Sequence, residues 1–332
     1  MVGAGSWGTT FASMLAERHD TFLWAREPEV AEAVTTQHVN PLFLPDVPLD
    51  ASLRSSNSLE AVIDDRDLIL IVVPTQHLRG VLEQVGSSVE RDQIILSLAK
   101  GIEQHTLLRP SQVVAELTPA HDPERVGVLS GPNLAKEIAV GQPSATVVAL
   151  PDEARASQVQ SELMTARFRV YTSTDVVGCE IGGAVKNVVA IAAGIADGLG
   201  FGWNTRAALI TRGLAELARL GVALGGDPLT FLGLAGNGDL IATCSSPQSR
   251  NRRVGFELGQ GRGLADVLAD MTMVAEGVST APAVLTLAGR VGVDMPIVSE
   301  VQAVLTGQRS AMEVVDVLMG REGTSELHDL RD

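Results

Sequence analysis

Hydrophobic and polar positions alternate in two rhythms through the first half of the chain. Short apolar runs bounded by turn residues predict strands over Thr21–Ala25, Leu68–Val73, Ile94–Ala99, Val126–Ser130, Ala145–Leu150 and Phe168–Thr172. Between them, apolar positions at helical spacing predict helices over Gly8–Arg18, Glu27–Thr36, Gln76–Val85, Ser111–Leu117, Asn133–Val140 and Asp152–Met164. This strand–helix alternation is the pattern of a parallel sheet. Several of the runs are near-continuous Val, Ile and Leu, as expected of strands covered by helices on both faces. After about residue 174 the strand rhythm stops. Runs rich in Ala, Leu and Gly then predict helices over Val176–Leu199, Thr205–Leu224, Val254–Gly259, Gly263–Met271, Thr280–Val291, Ser299–Thr306 and Ala311–Leu318. The pattern predicts an α/β domain with a mostly parallel sheet over residues 1–174 and an all-α domain over residues 175–332, with Arg321 to Asp332 as a loose polar tail.

The first helix opens on Gly3-Ala4-Gly5-Ser6-Trp7-Gly8, a G-x-G-x-x-G loop. In such a loop Gly3 permits the tight turn, Gly5 lets backbone approach a pyrophosphate and Gly8 allows close helix–strand packing. The helix N-terminus adds free N–H groups and partial positive charge. The α/β domain is therefore predicted to be Rossmann-type and to bind a dinucleotide. Only Met1 and Val2 precede the loop, where the first, central strand belongs. The strand is expected to be absent, or the start trimmed or misassigned, and an absent central strand would leave its neighbours' backbone groups unpaired. The predicted second strand ends in Leu23-Trp24-Ala25-Arg26-Glu27. Arg26 stands where a cation accommodates a ribose 2′-phosphate, which favours NADP(H) over NAD(H); its other reading is a solvated cation at a helix start.

Charge narrows the partners. A formal net charge of −15 opposes binding to nucleic acid or to an anionic membrane, which require a basic footprint. The longest apolar helical stretch, Ala184 to Ala196, is expected to be too short to span a bilayer. Cys179 and Cys244 have no cysteine or histidine at zinc-ligand spacing, so no metal site is expected, and a reducing, cytoplasmic location fits the absence of a visible signal peptide. Lys and Arg total 25, of which only Lys100, Lys136 and Lys186 are Lys. Where Arg is the general-purpose cation, each Lys becomes a candidate for proton-transfer chemistry, because burial lowers its pKa.

Lys100 follows a buried-strand pattern, at the sheet edge where α/β proteins bind ligands, as does the loop after Pro74. Gly131-Pro132-Asn133-Leu134-Ala135-Lys136-Glu137 follows another strand and opens a helix. Gly183-Ala184-Val185-Lys186-Asn187-Val188-Val189 sets a Lys in an apolar helix, either snorkelling to the surface or held in a site. Gly236-Asn237-Gly238-Asp239-Leu240 is a Gly-rich turn bearing one carboxylate, and Gln248-Ser249-Arg250-Asn251-Arg252-Arg253 gathers three Arg in four positions. That basic run suits a phosphoryl group, against the alternative of a solvated face.

With these segments in hand, the chain resembles the bacterial NAD(P)-dependent glycerol-3-phosphate dehydrogenases. The matching segments also include Phe43-Leu44-Pro45, Val72-Val73-Pro74, Ser130-Gly131-Pro132, Thr211-Arg212-Gly213-Leu214-Ala215-Glu216 and Glu276-Gly277. Asn133 departs from the usual Ser or Thr, and Asn237 from a frequent apolar residue. The resemblance implies interconversion of dihydroxyacetone phosphate and sn-glycerol 3-phosphate, supplying phospholipid synthesis, in a cytoplasmic homodimer without stable membrane association. It implies Lys186 as catalytic acid/base. Lys100, Gly131, Asn133, Lys186, Asp239, Ser249, Arg250 and Asn251 would contact substrate; Asp239 would orient substrate or Lys186, and Ser249, Arg250 and Asn251 would hold the substrate phosphate. Ser6, Trp7, Arg26, Lys100, Ala135, Arg250, Val274 and Glu276 would contact the cofactor beside the glycines. Lys136 and Glu137 would be structural. Two rivals stay open: a β-hydroxyacid dehydrogenase of 3-hydroxyisobutyrate or 6-phosphogluconate type, and a non-catalytic dinucleotide-binding regulator of DNA. The latter needs a basic reading element that the sequence does not display.

Overall fold

A computed structural model describes residues 1–323. The chain divides into two units: Met1–Ala99 with Pro110–Val176, and Lys100–Arg109 with the residues from Val177 onward. The ten-residue segment Lys100–Arg109, expected within the sheet domain, thus packs with the helices.

The first unit contains, among the described residues, seven strands: β1 (Phe22–Trp24), β2 (Arg54–Ser56), β3 (Leu68–Ile71), β4 (Ile94–Ser97), β5 (Val126–Ser130), β6 (Ser144–Ala149) and β7 (Phe168–Ser173). β1 pairs with β2, and β3 to β7 run in sequential order; every pair is parallel except β5–β6. Val2 bridges both groups, parallel to Trp24 on one side and Ile71 on the other. The Val2 N–H donates to the Leu70 carbonyl (2.7 Å), and the Val2 carbonyl accepts from Val72 (2.7 Å). On the other side Trp24 donates to Met1 (2.8 Å) and Gly3 to Trp24 (3.2 Å). Met1 and Val2 thus stand in the place of the central strand and bond to both of its neighbours. β2 was not predicted, since Arg54-Ser55-Ser56 carries no apolar alternation and lies at the sheet's edge. The five-residue helix Leu59–Ile63 is too short to display a period.

The second unit is helical. Its axis is the helix Val176–Gly198, 23 residues long. Ala184 to Ala196, expected to be too short for a bilayer, is part of this longer helix, whose length and composition would suffice for one span. What distinguishes it is that 89% of its most apolar window is buried within the protein. Ile181, Val185, Val188 and Ile195 pack there against Leu217, Phe231, Val254, Val284 and Val298 from the surrounding helices. The helix Arg250–Gly259 lies backbone to backbone against it. A Cβ on Gly194 would fall 2.0 Å from the Arg252 carbonyl oxygen, and one on Gly255 2.0 Å from that of Ile191. Only glycine permits this approach, which fixes the second helix beside the C-terminal half of the first. The helix Asp239–Ser245 was not anticipated; a π-helical turn over Leu234–Gly238 leads into it, where sequence showed only a Gly-rich turn. In the polar tail Arg321 pairs with Asp294 at 2.8 Å, and residues 324–332 lie outside the described residues.

Candidate active site

In the helical unit the polar residues buried on the central helix converge. Lys186 is 5% exposed. Its Nζ donates to Asp239 Oδ1 and to Thr243 Oγ1, the latter at 2.7 Å. The other carboxylate oxygen, Oδ2, accepts from Lys100 Nζ at 2.7 Å. Asp239 therefore bridges two ammonium groups. Burial lowers the pKa of Lys186 from its ordinary value to about 8, with Asp239 opposing and Lys100 reinforcing the shift. The snorkelling alternative for Lys186 is excluded by this burial. Nearby Cys244 is pushed up to about 12 by its own burial and stays an uncharged thiol. A buried ammonium that titrates near neutrality can give or take a proton within the working pH range.

Asn187 extends the cluster. Its Nδ2 donates to the Lys100 carbonyl (2.9 Å) and its Oδ1 accepts from Asn251 Nδ2 (2.9 Å), while Asn251 Oδ1 accepts from the Gly277 N–H (2.9 Å). The expected phosphate-binding run is thus divided by the fold. Ser249 caps its helix, its hydroxyl accepting from the Arg252 N–H (3.2 Å). The Asn251 carboxamide is used internally. Arg252 donates to the buried Asp197 carboxylate through both Nε (2.7 Å) and a terminal nitrogen (2.6 Å). Within the basic run Arg252 is taken up by an internal ion pair, and exposed Arg250 and Arg253 remain at the surface. Arg250 begins the helix, so its N–H and that of Asn251 belong to the first-turn donors without intrahelical acceptors. Val274 is exposed just before the helix Glu276–Val291, which Glu276 opens, and the Glu276 carboxylate acts electrostatically on Arg250.

In the sheet unit the glycine loop has the geometry expected of it. Gly3 has φ +118°, and a Cβ there would meet the Val72 carbonyl oxygen at 2.9 Å. A Cβ on Gly8 would fall 1.9 Å from the Gly3 oxygen. At Gly5, among the described residues, nothing lies within 4 Å of that position, so the N-terminus of the helix Ser6–Ala16 faces open space. Ser6 donates its hydroxyl to the Phe43 carbonyl, and Trp7 stacks on Phe11 with centroids 5.0 Å apart. Fully buried Asn40, not singled out from sequence, donates to Ala4 O (2.8 Å) and Thr9 Oγ1 (2.8 Å) and accepts from Phe43 N (3.0 Å). It ties the Phe43-Leu44-Pro45 segment to the loop. Arg26 is exposed beyond β1, paired with Glu27 at 2.5 Å. Gly131 follows β5. Asn133 donates to the Ala145 carbonyl (3.3 Å) and accepts from Thr146 Oγ1 (2.9 Å), so its carboxamide holds β6 in place. The Ala135 carbonyl accepts from Thr10 Oγ1 (3.4 Å).

The models of the NAD-dependent glycerol-3-phosphate dehydrogenase N-terminus and C-terminus match residues 1–156 and 175–316. A glycerol-3-phosphate dehydrogenase (NAD(P)+) of Geobacter sulfurreducens is 50% identical over 327 residues, covering 98% of each chain. The chain belongs to this dehydrogenase family. The corresponding protein of Nocardia farcinica is 52% identical over 328 residues, covering 97% of each chain. A crystal structure of glycerol-3-phosphate dehydrogenase from Coxiella burnetii aligns with a TM-score of 0.90 and 36% identity, over 96% of this chain and 98% of that one. For a dehydrogenase, the residues that sequence reading passed over are supports. Thr243, a second partner of Lys186, sits one turn beyond Asp239 on a helix whose polar face alone could have signalled it. Asn187 and Asn40 stood in or near noted motifs, yet their contacts are long-range and leave no local pattern.

Proposed function

We propose that the chain is an NAD(P)-dependent sn-glycerol-3-phosphate dehydrogenase that interconverts dihydroxyacetone phosphate and sn-glycerol 3-phosphate. The observation that carries this reading is the buried Lys186 ammonium, held by Asp239 and Thr243 and poised near neutrality. The glycine loop fits a dinucleotide: the turn at Gly3 and the open position at Gly5 leave the helix N-terminus accessible to a pyrophosphate. When bound, the nicotinamide cofactor supplies a hydride to C2 of the ketone, or accepts one from C2 of the alcohol. As negative charge grows on the carbonyl oxygen, Lys186 Nζ donates its proton to that oxygen. In the opposite direction neutral Lys186 removes the hydroxyl proton. Asp239 fixes the position of Nζ, and Lys100, on the second carboxylate oxygen, keeps Asp239 from holding the Lys186 proton too tightly.

Arg250 and the N–H groups that begin its helix form the cationic end of the phosphate site, with Ser249 and Asn251 shaping that helix start. Binding energy from the phosphate then orients C2 without taking part in the chemistry. Gly131 and Asn133 complete the substrate contacts of this reading. Ser6, Trp7, Gly8, Arg26, Lys100, Ala135, Val274 and Glu276 complete those of the cofactor. The exposed Arg26 guanidinium supports a preference for NADP(H), although Glu27 competes for it. The enzyme acts as a cytoplasmic homodimer without stable membrane association, and its product enters glycerophospholipid synthesis.

The test follows nicotinamide absorbance while the protein receives dihydroxyacetone phosphate with NADPH, then with NADH. Oxidation that depends on the substrate's phosphate, faster with NADPH, is the expected result. A folded protein that oxidises neither cofactor with this ketone, yet acts on 3-hydroxy acids, overturns the assignment.

A further inference from the structure

The chain contributes ten residues, Lys100–Arg109, to the helical unit. This strap is anchored at both ends to the same helix, Val176–Gly198. At the first end the Lys100 carbonyl accepts from Asn187, and the Lys100 ammonium reaches Asp239. At the far end Arg109 donates to Glu180, whose side chain is 1% exposed. Glu180 and Asn187 are seven residues apart, close to two full turns, so they lie on one stripe of the helix roughly 10 Å apart. Ile102 and Leu107 bury themselves in the core of the helical unit. Residues 103–108 close on themselves: Leu107 donates to Glu103 O (2.9 Å), Glu103 to Leu108 O (3.0 Å), and Thr106 Oγ1 to the buried Glu103 carboxylate. Leu107 adopts φ +63°, a left-handed conformation that a side chain of this size tolerates only where surrounding contacts impose it. Gln104 adds a bond to the Ser279 carbonyl at 3.1 Å.

A buried Glu–Arg pair at this cost of desolvation is a poor source of stability by comparison with apolar packing. Its geometry points elsewhere. We propose that Arg109 and Glu180 are positioning residues for the reaction: their ion pair fixes the strap's far end and thereby holds the Lys100 ammonium on Asp239. This inference rests on the proposed role of Lys186. The groups facing the Lys186 ammonium are Asp239, Thr243 and Cys244 from the helix Asp239–Ser245, and Lys100 from the strap. With Lys100 in place, Asp239 divides its charge between two cations. With the strap loosened, Asp239 serves Lys186 alone, and the ammonium becomes harder to deprotonate.

Having only three lysines makes the test direct. Lysine labelled with 13C at Cε gives three side-chain signals, of which exposed Lys136 is an internal reference. The Lys186 signal is followed against pH in the wild type, in Glu180→Gln, and in the paired variant Arg109→Met with Glu180→Met, which replaces the ion pair by apolar contact. Both variants are expected to shift Lys186 titration to higher pH and to lower kcat by roughly 10- to 100-fold, with the melting temperature of the paired variant near that of the wild type. The alkaline fall of kcat for ketone reduction should move upward with the titration. An unchanged Lys186 titration in a folded paired variant overturns the proposal, whether or not its stability changes. The titration needs no turnover. A wild-type protein inert toward dihydroxyacetone phosphate would therefore defeat the functional reading alone, while the shift would still decide whether the pair positions Lys100.

Discussion

Replacing Asp239 by Asn removes the one charge that stabilises two ammonium groups at once. The carboxamide keeps the shape of the side chain, so the effect is chiefly electrostatic. Lys100 Nζ lies 2.7 Å from one oxygen, and Lys186 Nζ donates to the other. Taking charge centres about 4 Å apart and an effective dielectric constant of about 20, each attraction is on the order of 4 kcal/mol. Losing that at Lys186 changes its protonation equilibrium by up to roughly a thousandfold. The repulsion from Lys100 adds to this until Lys100 withdraws. In the wild type Lys186 has a pKa of about 8. Ketone reduction, which uses the ammonium, should therefore be level below that pH and fall above it; alcohol oxidation, which uses the amine, should rise through the same range. In Asp239→Asn both limbs should move toward acid. At neutral pH ketone reduction falls by one or more orders of magnitude, while alcohol oxidation loses less. The assay is kcat in both directions from about pH 5 to about pH 9, with the KM for the nucleotide as a control for folding. A profile that coincides with that of the wild type, or moves toward alkali, would refute the charge argument, since neither follows from loss of a carboxylate beside Lys186.

Further substitutions separate binding from scaffolding. Gly5→Val enters open space and should leave the melting temperature nearly unchanged while abolishing nucleotide affinity, whereas Gly8→Ala places a methyl 1.9 Å from the Gly3 oxygen and should lower the melting temperature itself; calorimetry with and without nucleotide distinguishes them. Arg250→Gln should raise the KM for dihydroxyacetone phosphate with little loss of stability, while Arg252→Gln leaves the buried Asp197 carboxylate to Arg206 alone and should cost about 2 kcal/mol in denaturant unfolding. Glu216, buried and accepting the N–H groups of Ile297 (2.8 Å) and Val298, has its pKa raised by burial from 4.5 to about 7. Its folded-state pKa exceeds the unfolded value, so its contribution is present below about pH 4.5 and lost as pH rises toward 7, a change of about 3 kcal/mol. Glu216→Gln should flatten that slope, and an unaltered pH dependence of unfolding would count against it.

These contrasts follow from which contacts leave a trace in sequence. The glycine loop was legible because its three glycines fall at fixed spacing within six residues: the positive-φ turn at Gly3, the open position at Gly5, the contact of Gly8 with Gly3. Lys186 was legible because an ammonium in an apolar helix breaks the pattern around it. The central strand was not, since only Met1 and Val2 bond in its place, too few residues to show an alternation. The basic run was legible only in part. Three arginines in four positions look equivalent along the chain, but a helix distributes them over different faces. Arg252 meets Asp197 across 55 residues of sequence, and Arg250 does not. The same principle explains why Lys100 was recognised while its anchor was passed over. Lys100 stands directly after a strand, at an edge where ligands bind. Arg109 meets Glu180 across 71 residues, and its value becomes visible only when Glu180 and Asn187 fall on one helical stripe. Groups proposed to carry the chemistry break a local pattern, and groups proposed to position them are defined by distant contacts. The positioning residues are therefore where a structure adds most to the sequence.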